Sequence, residues 1–135
     1  MKEYMLLIKN PGDYKSTFPA ELHHEFLKKC EAYIAELKKE GKLISAQPLV
    51  IDGVIISGSH GSFNEEPVDQ DNQIQVGYYH ILANSMDEAI AIAKKNPEFE
   101  YGTTTTIEVR PIKMRETSTG FVYPNHPDSK AQKHV

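Results

Sequence analysis

The stretch that most limits the possible folds runs from Gln73 to Pro97 and predicts a strand followed directly by a helix. Residues 74–83 are rich in Tyr, Val and Ile, and both sets of alternate positions are largely apolar. A strand with one solvated face would be polar at every second position. We therefore expect this strand to be central in its sheet and covered on both sides.

The helix that follows this strand carries its own start and stop signals. Ser85 and Glu88 have the spacing of a capping box, in which each side chain binds a backbone N–H that the first helical turn leaves unpaired. Residues 86–93 carry an apolar stripe at helical spacing, and Pro97 cannot continue the helix.

Length, charge and cysteine content exclude several classes of protein. A chain of 135 residues predicts a single domain with a tail. The net charge of −4 argues against nucleic acid or an anionic membrane surface as a partner, since both select for clustered Lys and Arg. The single cysteine, Cys30, cannot form an internal disulfide, and the apolar run Met5–Ile8 is too short for a signal peptide or a membrane span. We expect a cytoplasmic protein.

The remaining chain supplies another helix and several strands. Lys2–Lys9 predicts a strand, and apolar residues at helical spacing predict an amphipathic helix over Pro19–Glu40, with Pro19 in its first position and Gly41 just past its end. The segment Lys42–Ala46 is strand-like, and the alternation in Thr103–Ile112 predicts the last strand.

Between these elements the sequence predicts a hairpin and a long loop. Asp52-Gly53 is a strong hairpin signal between the short apolar runs Leu49–Ile51 and Val54–Ile56. Residues 58–72 lack apolar periodicity and predict a loop.

The predicted order of strand, helix, strands and helix is typical of one α+β architecture. It indicates a ferredoxin-like antiparallel sheet over residues 1–112, with two helices on one face and an extra hairpin strand. Two helices cover only one face, so the apolar second face should meet a second copy, which gives a homodimeric α/β barrel. We expect the tail, residues 113–135, to pack on the domain or across the dimer through Phe121, Val122 and Tyr123.

Five stretches carry a resemblance to a known family: Tyr4–Ile8, Ala46–Leu49, Val76–Ile81, Ser85–Ala89 and Ile107–Pro111. In their order and spacing they resemble the YCII-related family, specifically its DGPF-motif branch. The resemblance covers about residues 1–112 and implies a dimeric ferredoxin-like α+β barrel whose biochemical role is largely unassigned.

The chain departs from that family at two places. His60-Gly61-Ser62-Phe63 stands where the branch has Asp-Gly-Pro-Phe. The resemblance also implies, for some members, a His-Asp pair whose His lies in the first helix, eleven residues before its terminal Gly. Counting back from Gly41 gives Cys30, so we do not transfer that activity to this chain.

The candidate site residues come from the central and last strands and from the predicted loop. His80 shares a strand face with Tyr78, and Glu108 could hold its imidazole in one tautomer, which would make a general base. His60, beside glycines that allow close approach of a ligand, and Arg110 complete the predicted ligand-binding set. Alternatively, His80 has only a structural role: it is buried in the core or at an interface, where its ring nitrogens form hydrogen bonds.

No metal ion or cofactor is expected. His23 and His24 are adjacent, so on a helix they point about 100° apart and cannot chelate one ion from one face. No His-x-x-x-His spacing is present. Cys30 lies on the core stripe of its helix and has no evident neighbouring base, which favours an inert side chain.

Two functional hypotheses remain open. The first is a homodimeric small-molecule-binding or accessory protein with a pocket between the sheet and its dimer partner. The second is an enzyme of the dimeric α/β-barrel type that uses a His-Glu pair, His80 or His60 with Glu108, on a small organic substrate. A weaker third possibility is an interaction module that acts through the tail.

Overall fold

The structure is a computed structural model and describes residues 1–12 and 14–124. A short 3₁₀ turn, Tyr14–Thr17, follows the first strand. The strands and helices of the described residues are β1 (Lys2–Pro11), α1 (Ala20–Lys39), β2 (Leu43–Pro48), β3 (Val54–Ser59), β4 (Ser62–Pro67), β5 (Gln73–Ala83), α2 (Met86–Lys94), α3 (Glu98–Tyr101) and β6 (Thr106–Pro111).

Four of the strands form one antiparallel sheet in the order β2-β5-β1-β6. This is the ferredoxin-like strand order, so the predicted α+β fold is confirmed. The central position predicted for the strand in residues 74–83 is also confirmed, because β5 pairs with β1 on one side and β2 on the other.

The core lies between the sheet and the two longer helices. Alternate β1 residues Tyr4, Leu6 and Ile8 are buried, and they pack in one cluster with Leu37 of α1 and Ile92 of α2. Both helices therefore cover the same face of the sheet. We call the opposite side the open face; it carries Glu3, Met5, Leu7 and Lys9 of β1 and Tyr78, His80 and Leu82 of β5.

Strict alternation along residues 74–83 predicts that Val76 shares a face with Tyr78 and His80, and a bulge in β5 makes this prediction wrong. Ile8 pairs with Gly77, but Lys9 pairs with Gln75, so Val76 is an extra residue opposite β1. Val76 consequently packs against the helix-covered core rather than on the face of Tyr78 and His80. Simple alternation cannot reveal an inserted residue of this kind.

The hairpin is real, but it lies further along the chain than predicted. β3 and β4 pair around His60-Gly61, and they form their own two-stranded sheet rather than an extra strand of the main sheet. Both turn residues have positive φ, 53° and 82°, as a tight primed turn requires. The backbone N–H of Leu49 donates to the carbonyl of Val76, so Leu49 continues alongside β5, and the partner of β3 is β4 instead. The predicted loop over residues 58–72 is therefore wrong, because it contains β4.

The helix ends agree with most of the predicted signals. Ser85 Oγ accepts a hydrogen bond from the backbone N–H of Glu88 at 3.2 Å, which confirms one of the two hydrogen bonds of the capping box. The Glu88 carboxylate instead accepts a hydrogen bond from Asn84 and forms an ion pair with Lys42. Pro19 is the N-cap of α1 rather than its first residue. None of the helices within the described residues is long and apolar enough to cross a membrane.

The described part of the tail folds back on itself. Arg115 and Val122 form an isolated bridge, and Glu116 accepts a hydrogen bond from Tyr123 Oη. Phe121 and Val122 are exposed and Tyr123 is half-buried. The predicted role of this segment stays a prediction, and residues 125–135 lie outside the described part of the chain.

Candidate functional site

A cavity of about 560 Å³ lies between α1 and the helix-covered face of the sheet. It is therefore on the opposite side of the sheet from the pocket that the sequence predicts at the dimer partner. Most of its wall is apolar and comes from α1 and from three neighbouring strands; these residues include Ile8, Phe26, Ile34, Ala46, Val76 and Tyr79.

Small side chains leave the space open. Gly77 of β5 lines the cavity, and a Cβ there would lie 3.2 Å from the carbonyl oxygen of Gln47 on the neighbouring strand β2. Cys30 and Ala46 line the same cavity from α1 and β2. The bulge adds Val76 to this wall, so the local irregularity of β5 shapes the cavity directly.

The polar end of the cavity is built around Glu98. This residue begins the short helix α3 and is only 5% exposed. Its Oε2 accepts hydrogen bonds from Asn10 Nδ2, at 3.0 Å, and from the Tyr14 hydroxyl. Its Oε1 forms an ion pair with Lys15 Nζ at 2.6 Å. Thr105 Oγ1 donates to Asn10 Oδ1 at 2.8 Å and so fixes the orientation of the Asn10 amide.

The partners of the Glu98 carboxylate come from β1 and from the 3₁₀ turn that follows it. Asn10 continues the inward alternation of β1 and is fully buried, while Tyr14 and Lys15 lie on the 3₁₀ turn that follows. At the start of α3, Asn96 Oδ1 accepts from the Glu98 backbone N–H at 2.9 Å. Three hydrogen-bonding or charged groups, from Asn10, Tyr14 and Lys15, therefore hold one carboxylate, which burial alone would make costly.

Lys15 is held on a second side by aromatic rings. Its Nζ lies 4.4 Å from the centroid of the Phe26 ring and 5.5 Å from that of Tyr14. Cation–π contacts of this kind stabilise an ammonium group without neutralising it. The ammonium group therefore has a defined position next to the Glu98 carboxylate.

The electrostatics of the cavity keep its hydroxyl and thiol groups protonated. Burial, followed by the hydrogen bond to Glu98 and the negative charge of that residue, raises the pKa of Tyr14 far above its usual value. Burial and the charge of Glu98 raise the pKa of the Cys30 thiol to about 11, and the opposing effect of Lys15 is smaller. A thiol with that pKa is a poor nucleophile at neutral pH.

The His80–Glu108 pair that the sequence predicts does not form. His80 Nε2 lies 2.7 Å from Oε1 of Glu3, a diagonal neighbour on the open face. Glu108 instead pairs with Lys9 at 3.5 Å and Arg110 at 3.6 Å. The reason is topological, because β1 lies between β5 and β6 and separates their side chains by two strand spacings, about 10 Å.

The structure brings together only part of the predicted ligand-binding set. Tyr78 and His80 lie on β5 and Glu108 and Arg110 on β6, on the same open face and on either side of β1. His60 is exposed at the tip of the β3–β4 hairpin. Their role in binding stays a prediction.

Sequence reasoning missed the Glu98 cluster, although one signal for it exists. Asn10 follows Tyr4, Leu6 and Ile8 at alternate positions, which places its amide on the buried face of β1. A buried amide needs hydrogen-bonding partners, so this position already calls for a polar cluster nearby. The sequence pattern does not identify Glu98 as the partner.

Comparison with known proteins gives the chain its family. No protein with a curated description matches it. Among solved structures, 5-chloro-2-hydroxyhydroquinone dehydrochlorinase from Burkholderia phenoliruptrix AC1100, in complex with 2,5-dihydroxybenzoquinone, is similar with a TM-score of 0.46 and 16% sequence identity, over 87% of this chain and 98% of that one. The YCII-related domain matches residues 1–113, and the chain therefore belongs to the YCII-related family.

Proposed function

We propose that this protein binds a small, largely apolar molecule in the cavity between α1 and the sheet. The observation that carries this proposal is the buried carboxylate of Glu98, held by Asn10, Tyr14 and Lys15 at one end of an otherwise mainly apolar cavity. Ligand pockets have this composition and this range of volume, with a few fixed polar groups that orient the bound molecule.

Native mass spectrometry of the protein purified from its own host tests the proposal. We expect an added small mass under native conditions that disappears on denaturation. Ala35 lines the cavity but is exposed on α1, so an Ala35→Phe variant should fold and lose the added mass through occlusion. The matched control is Ala32→Phe, on the same helix but outside the cavity lining, and this variant should retain the added mass.

Two results would contradict this proposal. A wild-type protein without any added mass would show that the cavity carries no resident ligand. An added mass that is equally retained by the Ala35→Phe and Ala32→Phe variants would place the ligand elsewhere in the protein.

A second candidate function is catalysis by a His-Glu pair, with Glu3 rather than Glu108 as the partner of His80. The 2.7 Å contact between His80 Nε2 and Glu3 Oε1 favours it, because a carboxylate can hold an imidazole in the tautomer that a general base needs. The molecule recovered from the purified protein would be added back, and new products followed by mass spectrometry. His80→Gln should abolish conversion, and the control His24→Gln, at an exposed position of α1, should not; equal conversion by His80→Gln and wild type would exclude this function.

We further propose that two copies pair through the open face. The support is its apolar content, since Met5, Leu7 and Leu82 lie there together with Tyr78 and none of them is fully buried. We propose that Phe121 and Val122 of the tail, which are exposed, pack across this dimer.

We also propose a branch of the family and a cellular location for this protein. Membership in the DGPF-motif branch is supported by Gly61 and Phe63, which persist at the hairpin where the signature would lie. A cytoplasmic location is supported by the single cysteine.

A further inference from the structure

The charge balance at the polar end of the cavity indicates which chemical group a ligand presents there. Resting on the function proposed above, we infer that the ligand is a compact apolar molecule that carries a neutral hydroxyl group and places it beside the ion pair, within hydrogen-bond distance of both Lys15 Nζ and Glu98 Oε1. A carboxylate or an ammonium group in the same place is disfavoured. Lys15 and Glu98 are then the residues that determine specificity.

The first step concerns hydrogen-bonding capacity. Glu98 Oε2 already accepts from Asn10 and Tyr14, which fills its two acceptor positions. Glu98 Oε1 accepts from Lys15, and it has capacity for one more donor. The Lys15 ammonium group has three N–H donors, of which Glu98 takes one. A ligand group that accepts from Nζ and donates to Oε1 at the same time fits both needs, and a hydroxyl group does so.

The second step concerns net charge. Among the described residues at the polar end, Lys15 and Glu98 neutralise each other, so a charged ligand group would lie beside one like charge and leave these residues with an unbalanced charge. Glu31 and Lys38 also line the cavity, but they are exposed on α1 and carry opposite charges, so they do not change the balance. An unbalanced charge against a mainly apolar wall lowers the affinity of a ligand, whereas a neutral hydroxyl group introduces no unbalanced charge.

Three probes with the same rigid hydrocarbon body test this inference: 1-adamantanol, 1-adamantanecarboxylate and 1-adamantylammonium. Their affinities for the full-length protein are measured by isothermal titration calorimetry at pH 7. We expect the alcohol to bind at least about tenfold more tightly than either charged probe, because only the charged probes unbalance this partly buried ion pair.

Two substitutions should reverse this order of affinity. Lys15→Met leaves the Glu98 carboxylate without its counter-ion, so the ammonium probe should become the tightest of the three. Glu98→Gln leaves the Lys15 ammonium group unpaired, so the carboxylate probe should become the tightest. Lys29→Met and Glu100→Gln disrupt an exposed ion pair of 2.8 Å outside the cavity lining and should keep the wild-type order.

The outcomes separate this inference from the proposal on which it rests. If none of the three probes binds the wild-type protein, the proposed function fails and the inference fails with it. If a charged probe binds wild type most tightly, or if Lys15→Met, confirmed as folded by its one-dimensional proton spectrum, keeps the wild-type order, the inference is overturned while the cavity remains a binding site.

Discussion

At the scale of single residues, Asn10 links the sheet to the polar end of the cavity. Its amide accepts from Thr105 and donates to Glu98, and none of its surface is exposed. Leaving such a buried group without a partner costs about 1–3 kcal/mol, so its two hydrogen bonds matter for stability as well as for the position of the carboxylate.

Cys30 gives a prediction about pH dependence. Because the pKa of its thiol is raised to about 11, the reactive thiolate is rare near neutrality. We expect iodoacetamide to alkylate folded Cys30 at pH 8 more than about tenfold more slowly than a free thiol of pKa about 8.5, because the lower thiolate fraction outweighs the higher nucleophilicity of that thiolate. The rate should then rise about tenfold per pH unit until the pH approaches 11.

Intact-mass measurement at a series of pH values follows this reaction, since Cys30 is the only cysteine in the sequence. The same protein unfolded in urea is the control and should react at the rate of a free thiol. Rapid alkylation of the folded protein that levels off by pH 8 would show that the thiol is activated, and the assignment of Cys30 as an inert lining residue would be wrong.

Residues of this site could be predicted only where a local pattern applies to them. The alternation of β1 reaches Asn10, and the helical stripe of α1 includes Cys30. Lys15 and Glu98 are 83 residues apart in sequence, and no periodicity relates a 3₁₀ turn to a four-residue helix. Their contact depends on where the end of β1 and the start of α3 meet in the fold.

At the scale of elements, α2 follows its sequence signals closely. The Ser85 side chain accepts from the Glu88 backbone N–H, and α2 packs Ala89, Ile92 and Ala93 into the core. Ser85→Ala should therefore lower the free energy of unfolding by about 1 kcal/mol, measured by urea denaturation. Ser57→Ala, at an exposed position of β3, should change it by less than about 0.5 kcal/mol. Equal effects of the two substitutions would mean that the cap contributes nothing.

The hairpin shows why an element can be predicted and still be misplaced. Asp52-Gly53 has the preferred turn composition, but the ladder forms where both central residues take positive φ, at His60 and Gly61. One face of the resulting hairpin carries Val54, Ile56 and Phe63, all of them exposed. In residues 62–67, apolar and polar residues do not alternate clearly enough to predict β4 from the sequence.

At the scale of the whole molecule, the open face predicts the oligomeric state. The sheet order and the two helices on one face follow from the sequence, whereas the position of the cavity depends on a bulge and on small side chains that meet from distant segments. How the open face is covered depends on assembly with another chain, and we predict that a second copy of this protein covers it.

Light scattering after size-exclusion chromatography tests this dimer. The wild-type protein should have twice the mass of one chain at micromolar concentration. Leu7→Glu places a charge in the middle of the open face and should give a monomer, whereas Val50→Glu, at a position that is 84% exposed outside the sheet, should remain dimeric. A monomeric wild type, or a Leu7→Glu variant that stays dimeric, would exclude pairing through this face.

The central claim is that small molecules bind between α1 and the sheet rather than at the open face. Methyl NMR of protein labelled at Ile δ1 and Met ε methyl groups, titrated with 1-adamantanol, tests it most directly. We predict that the Ile8 and Ile34 signals, which report on the cavity lining, shift with the probe, while Met5 on the open face and Ile55 on the hairpin do not. Shifts at Met5 with Ile8 and Ile34 unchanged would contradict the claim and place the binding site on the open face.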